Sequence, residues 1–267
     1  MIIKKLSGHS GCEILLCAND NNSQEKYVRK ISPDVSYNER LLTQSQKQEK
    51  FTSKLSIIKS PKILRRGHVN NLFYFDMSYV NGKSLNDHIR NSDISTVTPF
   101  IKALQDYLSN DKVQNTEDLS SLIQEKVKNT RAKTVGYEKF YDYILGNNWQ
   151  HIPVSECHGD LTFENLIVSN GKLHFIDFLD SFINTKLIDM AKLLFDVRYF
   201  WSSRLVKQKP IVKSIHVDEI LKSTQIYKDN KKSIDCLIVL SILRIIPYCK
   251  DRYTLEHLER GLEHAIG

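Results

Sequence analysis

The stretch CHGDLTFENLIVSNGKLHFIDF, residues 157–178, constrains this chain more than any other. Two short apolar runs, LIV at 166–168 and LHFI at 173–176, flank Ser169-Asn170-Gly171-Lys172, which has the composition of a tight turn. The pattern predicts a hairpin that brings Asp177 back beside Asn165, with His158 and Asp160 just ahead of its first strand. Asn165 and Asp177 are hard oxygen donors of the kind magnesium prefers. Asp160 is a carboxylate able to accept the proton of an attacking hydroxyl. Phosphoryl transfer needs both, together with a cation on the nucleotide phosphates.

The rest of the chain supplies a scaffold for such a site. With 267 residues and 41% hydrophobic content it is long enough for one large domain or two modest ones, and a disordered chain is excluded. From Ile2 to Ile31 the pattern predicts strands, and residues 37–55, free of Gly and Pro, predict a helix. Two further strands flank a polar GHVNN turn, and Ser84 starts a short helix with Asp87 three residues on. Helical periodicity then covers segments near 97–109, 117–130, 137–145, 186–205, 216–227, 233–246 and 254–265. The expected architecture is α+β and bilobal, with a cleft between the lobes. Residues 1–79 form an N-terminal antiparallel sheet with one long helix, and residues 80–267 form a larger, mainly helical portion.

Composition narrows the setting. Five scattered cysteines without a CxxC pair read as reduced thiols, and the charged N-terminus lacks a signal-peptide pattern, so a cytoplasmic protein is expected. The longest apolar run, CLIVLSILRII at 236–246, carries Arg244 and is too short to span a bilayer, so it reads as a buried helix. The net charge of +7 is concentrated among lysines and arginines of residues 198–232. Such an excess suits an anionic ligand or peripheral contact with an anionic membrane, and no nucleic-acid motif accompanies it.

His158-Gly159-Asp160 and Asn165 stand at the spacing of the protein-kinase catalytic loop, and Ile176-Asp177-Phe178 matches the kinase D-F-G aspartate with Leu179 in place of the glycine. On these residues the chain resembles the aminoglycoside and choline kinase superfamily, the small-molecule branch of the protein-kinase-like fold. The resemblance covers nearly the whole chain and is most specific at its centre. It implies ATP, with GTP as the other candidate, and Mg2+ as cofactors. It also implies Asp160 as the catalytic base, His158 as its brace, and Asn165 and Asp177 as metal ligands. Lys30, in Tyr27-Val28-Arg29-Lys30-Ile31, takes the place of the phosphate-contacting strand lysine, while Arg29 points to the opposite face. Its helix partner is Glu39, with Glu49 as the alternative. Ser7-Gly8-His9-Ser10-Gly11 stands for the phosphate loop, with Ser10 and Gly11 as its contacts. Backbone groups of Ser78 to Val80 would bind the adenine edge, and Asp189 would brace the catalytic loop.

For the acceptor, the candidates are Asp180, Arg198, Trp201 and Arg244. Their basic character favours an anionic or carbohydrate acceptor over an aminoglycoside. The chain is similar in general look to phosphotransferases encoded with bacterial surface-polysaccharide genes, so the expected acceptor is a hydroxyl of a sugar, polyol or glycan precursor. An aminoglycoside or choline/ethanolamine-type kinase, a protein kinase and a nucleotide-binding pseudokinase are the rival expectations. Oligomeric state is outside the reach of the sequence.

Overall fold

The computed structural model describes residues 1–6, 11–19, 22–109 and 115–267. Ser7, Gly8, His9 and Ser10, which make up the expected phosphate loop apart from Gly11, lie outside the described residues. The chain divides into two units, Met1–Lys83 with Asn165–Asp180, and Ser84–Glu164 with Ser181–Gly267.

In the first unit, strands β1 (Ile2–Leu6), β2 (Glu13–Asn19) and β3 (Asn22–Ile31) precede helix α1 (Asn38–Lys50) and the two-residue strand β4 (Ile58–Lys59). Strands β5 (Ile63–Val69) and β6 (Leu72–Ser78) follow. The five longer strands form an antiparallel sheet in the order β1-β2-β3-β6-β5. Asn70 and Asn71 both take positive φ between β5 and β6. The turn therefore has the twist that suits a two-residue hairpin, and Gly67 to Val69 belong to the strand rather than to the turn.

Register decides what each sheet face carries. Val28 pairs with Met77 and Lys30 with Phe75, which puts Lys30 on the face that packs with Leu41 of α1. Arg29 pairs with Asp76 on the other face, as its strand position predicts. There its guanidinium makes two bonds of 2.8 and 3.0 Å to the buried Asp76 carboxylate and stacks 4.1 Å from the Tyr74 ring centroid. The carboxylate holds Arg29 well above the usual guanidinium range.

The chain passes through β7 (Lys83–Ser84) into the second unit. There α2 (Leu85–Asn91), α3 (Ile94–Ser109), β8 (Asn115–Glu117), α4 (Ser120–Arg131), α5 (Glu138–Leu145) and β9 (Ile152–Val154) lead to the segment that carries His158 and Asp160. After it come α6 (Lys186–Tyr199), α7 (Ile211–Lys222), α8 (Gln225–Ile245) and α9 (Arg252–Ile266). The apolar run of α8 is buried throughout from Ile234 to Leu243, the core helix expected of it. Among the described residues no helix is long and apolar enough to cross a membrane. Four helices differ from expectation by five residues or more, among them α1, which ends at Lys50 instead of 55, and α8, which begins at Gln225 instead of 233. α6 stops at Tyr199 because Phe200 turns left-handed, and α7 starts earlier and stops at Lys222 because Thr224 caps the next helix by accepting from the Tyr227 N–H.

The hairpin predicted at 166–175 forms β10 (Leu166–Ser169) and β11 (Lys172–Phe175), with Asn170 and Gly171 both at positive φ. It belongs to the first unit, whereas a single cut after residue 79 leaves it in the second. The reason is local: β11 pairs in parallel with β4, and Phe51, just past α1, packs 5.4 Å from Phe175 and 5.1 Å from Phe178. The Asn81-Gly82 turn lies against the same hairpin, where Ser169 Oγ donates to the Asn81 carbonyl at 2.7 Å. A Cβ on Gly82 would sit 2.3 Å from the Val168 carbonyl oxygen, so a side chain there displaces backbone. Gly82→Ala is therefore expected to destabilise the protein by about 1–3 kcal/mol, measured by urea unfolding.

Candidate active site

The loop carrying Asp160 is held from beneath by helix α6. Thr185 caps that helix by accepting from the Leu187 N–H, and the first turn presents Asp189 fully buried. The Asp189 carboxylate accepts three hydrogen bonds, from the backbone N–H groups of His158 and Gly159, both at 2.7 Å, and from the Tyr107 hydroxyl at 2.9 Å. Gly159 has φ +90°, a conformation that favours glycine and sends both N–H groups toward one acceptor. The buried His158 ring accepts the Asp160 N–H at Nδ1, 3.2 Å away. That bond ties the imidazole to the backbone of the loop.

Two further α6 residues meet the loop. Asp196 accepts the Phe163 N–H at 2.7 Å, and both the N–H and hydroxyl of Ser202 at 2.6 Å. Burial pushes its carboxyl up to about 6 against those hydrogen bonds. Lys192 places its ammonium 3.0 Å from Asp160, whose side chain is 34% exposed. Burial alone would raise the Asp160 carboxyl. The charge and hydrogen bond of Lys192, with lesser help from His158 and Arg244, instead hold it below the usual carboxylate range. Asp160 therefore stays ionised at neutral pH. Positions 189, 192 and 196 recur at i, i+3 and i+7, so one helix face delivers all three. That spacing is visible in the sequence and would have found Lys192 and Asp196, which residue-by-residue motif reading missed.

Arg244 lies 5.7 Å from the centroid of Phe182, and Lys126 lies 5.2 Å from the same ring. Arg198, by contrast, is removed from the acceptor role assigned to it. Its guanidinium reaches Asp218 at 2.9 Å, Asp235 at 3.3 Å and the Tyr227 hydroxyl at 3.1 Å, tying α6 to α7 and α8. Trp201 packs 5.4 Å from Phe195 and carries the Arg204 guanidinium 4.0 Å from its ring centroid.

The first unit holds the other expected residues. Lys30 is buried and pairs with Asp177, while its ammonium also donates to Gln44 Oε1 at 3.3 Å. Burial lowers the lysine and Asp177 more than offsets it, so the net direction is upward. Neither glutamate expected beside Lys30 is there. The inward stripe of α1 is Leu41, Gln44, Ser45 and Gln48, which leaves Glu39 exposed, and Glu49 pairs with Arg66 at 2.8 Å. The stripe is mostly polar, so apolar neighbours such as Leu42 misdirected the choice of facing residue. Asn165 and Asp177 come together through the backbone bond from the Ile176 N–H to the Asn165 carbonyl, 3.0 Å. Asp177 leaves the ladder at φ +60°, a left-handed conformation unusual for a non-glycine residue. Lys47 then fixes the following turn by donating to the Leu179 carbonyl at 3.0 Å, and Asp180 is exposed beyond it.

At the expected adenine edge, the Ser78 N–H is committed to the Lys62 carbonyl and Ser78 Oγ accepts the Lys62 N–H, both at 2.9 Å. Val80 lies just past the strand end. Gly11 has φ +76°, suited to a turn entering β2. Among the described residues no three His, Cys, Asp or Glu side chains cluster as a self-contained metal site. Magnesium on a nucleotide takes only one or two protein oxygens, the others coming from phosphates and water. Asn165 and Asp177 fit that donor requirement.

Two measurements check this geometry. Asp189→Ala leaves two backbone N–H groups and a phenol without their acceptor, at about 1–3 kcal/mol each. It is expected to lower the urea midpoint far more than Asp160→Ala. In Lys192→Met the burial of Asp160 is no longer opposed by its closest cation, so its carboxyl should titrate at higher pH in carbon-detected NMR, with Asp160→Asn assigning the resonance.

No family model matches the sequence, and no curated protein matches it. Solved structures do share its fold. A Haemophilus somnus 129PT protein assigned as a fructosamine-3-kinase aligns at 15% identity with a TM-score of 0.58, over 97% of this chain and 91% of its own. A type VIII aminoglycoside-3'-phosphotransferase aligns at 10% identity with a TM-score of 0.58, over 90% of this chain and 92% of its own. With an N-terminal antiparallel sheet and a mostly helical remainder, this chain has the α+β, protein-kinase-like fold.

Proposed function

We propose that the chain is an ATP- and magnesium-dependent small-molecule kinase that transfers the γ-phosphoryl group to a hydroxyl of a sugar, polyol or glycan precursor. The observation that carries this reading is the Asp160 loop, whose backbone is anchored by Asp189 and His158 and whose carboxylate pairs with Lys192. A loop so fixed, with a charged acceptor at its tip, suits proton removal from an alcohol at neutral pH.

Bound magnesium nucleotide would supply the transferable phosphoryl group. Asn165 and Asp177 offer oxygens to the metal, and Lys30 offers a buried cation to the phosphates. Asp160 would take the proton of the acceptor hydroxyl while the acceptor oxygen forms its bond to the γ-phosphorus and the bond to the departing nucleoside diphosphate breaks; that proton would then pass to solvent. Gly11, with residues 7–10 that lie outside the described residues, is assigned to the phosphates, and Val80 to the adenine edge in preference to Ser78, whose N–H is already used.

The two structural neighbours are named for fructosamine and an aminoglycoside. For this chain the surroundings of Asp160 favour an anionic or neutral carbohydrate over a polycation. Lys192 is in contact with Asp160, the charge of Arg244 reaches it, and Arg244 and Lys126 flank the Phe182 ring. An aromatic face flanked by cations suits a sugar ring bearing an acidic group, whereas an aminoglycoside would meet like charge.

The test is a screen of hydroxyl acceptors with magnesium and labelled ATP. Asp160→Asn is expected to slow transfer roughly 10^2–10^4-fold with nucleotide affinity retained. Asp177→Asn is expected to weaken binding of the magnesium nucleotide instead. Undiminished transfer in Asp160→Asn would overturn the base assignment, and efficient turnover of kanamycin-type substrates with none of sugars or polyols would overturn the acceptor class.

A further inference from the structure

The segment between α6 and α7, continued into the first turns of α7, has an unusual surface. Leu205 is 70% exposed, Ile211 58%, Val212 71% and Ile215 56%. On α7 the buried residues are Ser214, Val217 and Leu221, so Ile211, Val212 and Ile215 stand on the opposite face. Aliphatic side chains this exposed and this close in sequence are uncommon on a soluble surface and mark an interaction site.

The same segment is cationic. Residues 204–215, RLVKQKPIVKSI, contain Arg204, Lys207, Lys209 and Lys213 and no acid. Lys209 closes the loop by donating to the carbonyls of Ser203 and Arg204 at 2.5 and 2.7 Å. Lys213 donates to the Arg90 carbonyl at 3.2 Å, and Lys207 is exposed. Tyr253 borders the patch, half-exposed, with its hydroxyl donating to the Arg204 carbonyl at 3.1 Å. None of these residues takes part in the phosphoryl-transfer chemistry proposed above.

We infer that the 204–215 segment is a membrane-docking surface, in which Leu205, Ile211, Val212 and Ile215 enter the headgroup boundary of an anionic bilayer, the exposed Lys207 meets its lipid charges, and Arg204, Lys209 and Lys213, held to the protein backbone or stacked on Trp201, add to the positive field behind it. The occupant follows from charge complementarity and shape. Protruding aliphatic tips on a helix turn and a closed loop, in a segment with four cations and no acid, match the pairing of apolar insertion with electrostatic attraction that interfacial segments use. A tyrosine with an apolar ring and a bonded hydroxyl at the rim suits the same boundary. A second copy of the chain would bring one acid-free, positively charged segment against another, which opposes self-association through this face.

The experiment is co-sedimentation of the full chain with vesicles of phosphatidylcholine alone and of phosphatidylcholine mixed with phosphatidylglycerol. Binding to the anionic vesicles is expected to exceed binding to the neutral ones by roughly tenfold or more and to fall as salt is raised. The triple variant Leu205→Ser/Ile211→Ser/Ile215→Ser removes only exposed side chains, so its melting temperature should be unchanged while vesicle binding falls to the neutral-vesicle level. Lys207→Glu should weaken binding without abolishing it. Equal binding to both vesicle types, or undiminished binding by the triple variant, would overturn the inference. So would a dimer of the wild-type chain that the triple variant dissolves in the absence of vesicle binding. Because the readout is sedimentation, failure of the kinase reading leaves this result interpretable.

Discussion

A single buried carboxylate organises the second unit. Asp189 accepts the N–H groups of two consecutive residues, His158 and Gly159, and the hydroxyl of Tyr107. Consecutive N–H groups point to one acceptor only if the backbone between them turns sharply, which Gly159 allows at φ +90°. The loop geometry is therefore fixed by atoms that lie on the helix, and the helix in turn is fixed by its Thr185 cap and the packing of its apolar residues. An unpartnered carboxylate at that depth would be costly, so loop and helix order together or not at all.

The same helix face sets the electrostatics of the loop in opposing directions. Lys192 depresses the Asp160 carboxyl, whereas burial raises Asp196 to about 6. A depressed carboxylate contributes stability above its unfolded pKa that is lost as pH falls through its folded value. A raised one contributes stability at low pH that is lost as pH rises through about 6. The loop is thus bounded by two acids whose pH dependences run against each other, with Asp160, the more accessible of the two, held below the usual carboxylate range.

Much of this could be read beforehand, and the failures are instructive. The hairpin at 166–175 was legible because turn residues separate two apolar runs, and the core position of α8 was legible because its apolar run lacks a polar face. The residues from His158 to Asp177 were singled out by their spacing together with the family resemblance that the spacing carries. What was not legible depends on which side of an element faces its neighbour. The inward face of α1 is polar, so hydrophobic pattern could not show that Gln44 rather than Glu39 meets Lys30. Arg198 looked like a ligand-binding cation because its partners, Asp218 and Asp235, come from two other helices. The membership of the hairpin in the first unit was hidden for a similar reason, since strand β4 supplies only two residues to pair with it.

The amide at position 44 has a consequence for how the first unit handles charge. A glutamate there would neutralise Lys30 permanently. Gln44 offers only a dipole, so the buried ammonium depends on Asp177 for its counter-charge. Any divalent ion that draws Asp177 away leaves a positive centre enclosed in low-dielectric surroundings, which is unfavourable unless a polyanion arrives with the ion. Under the proposed reading the metal and the nucleotide phosphates are thereby thermodynamically linked: each makes room for the other, and the bare ion is discriminated against by the charge it would strand.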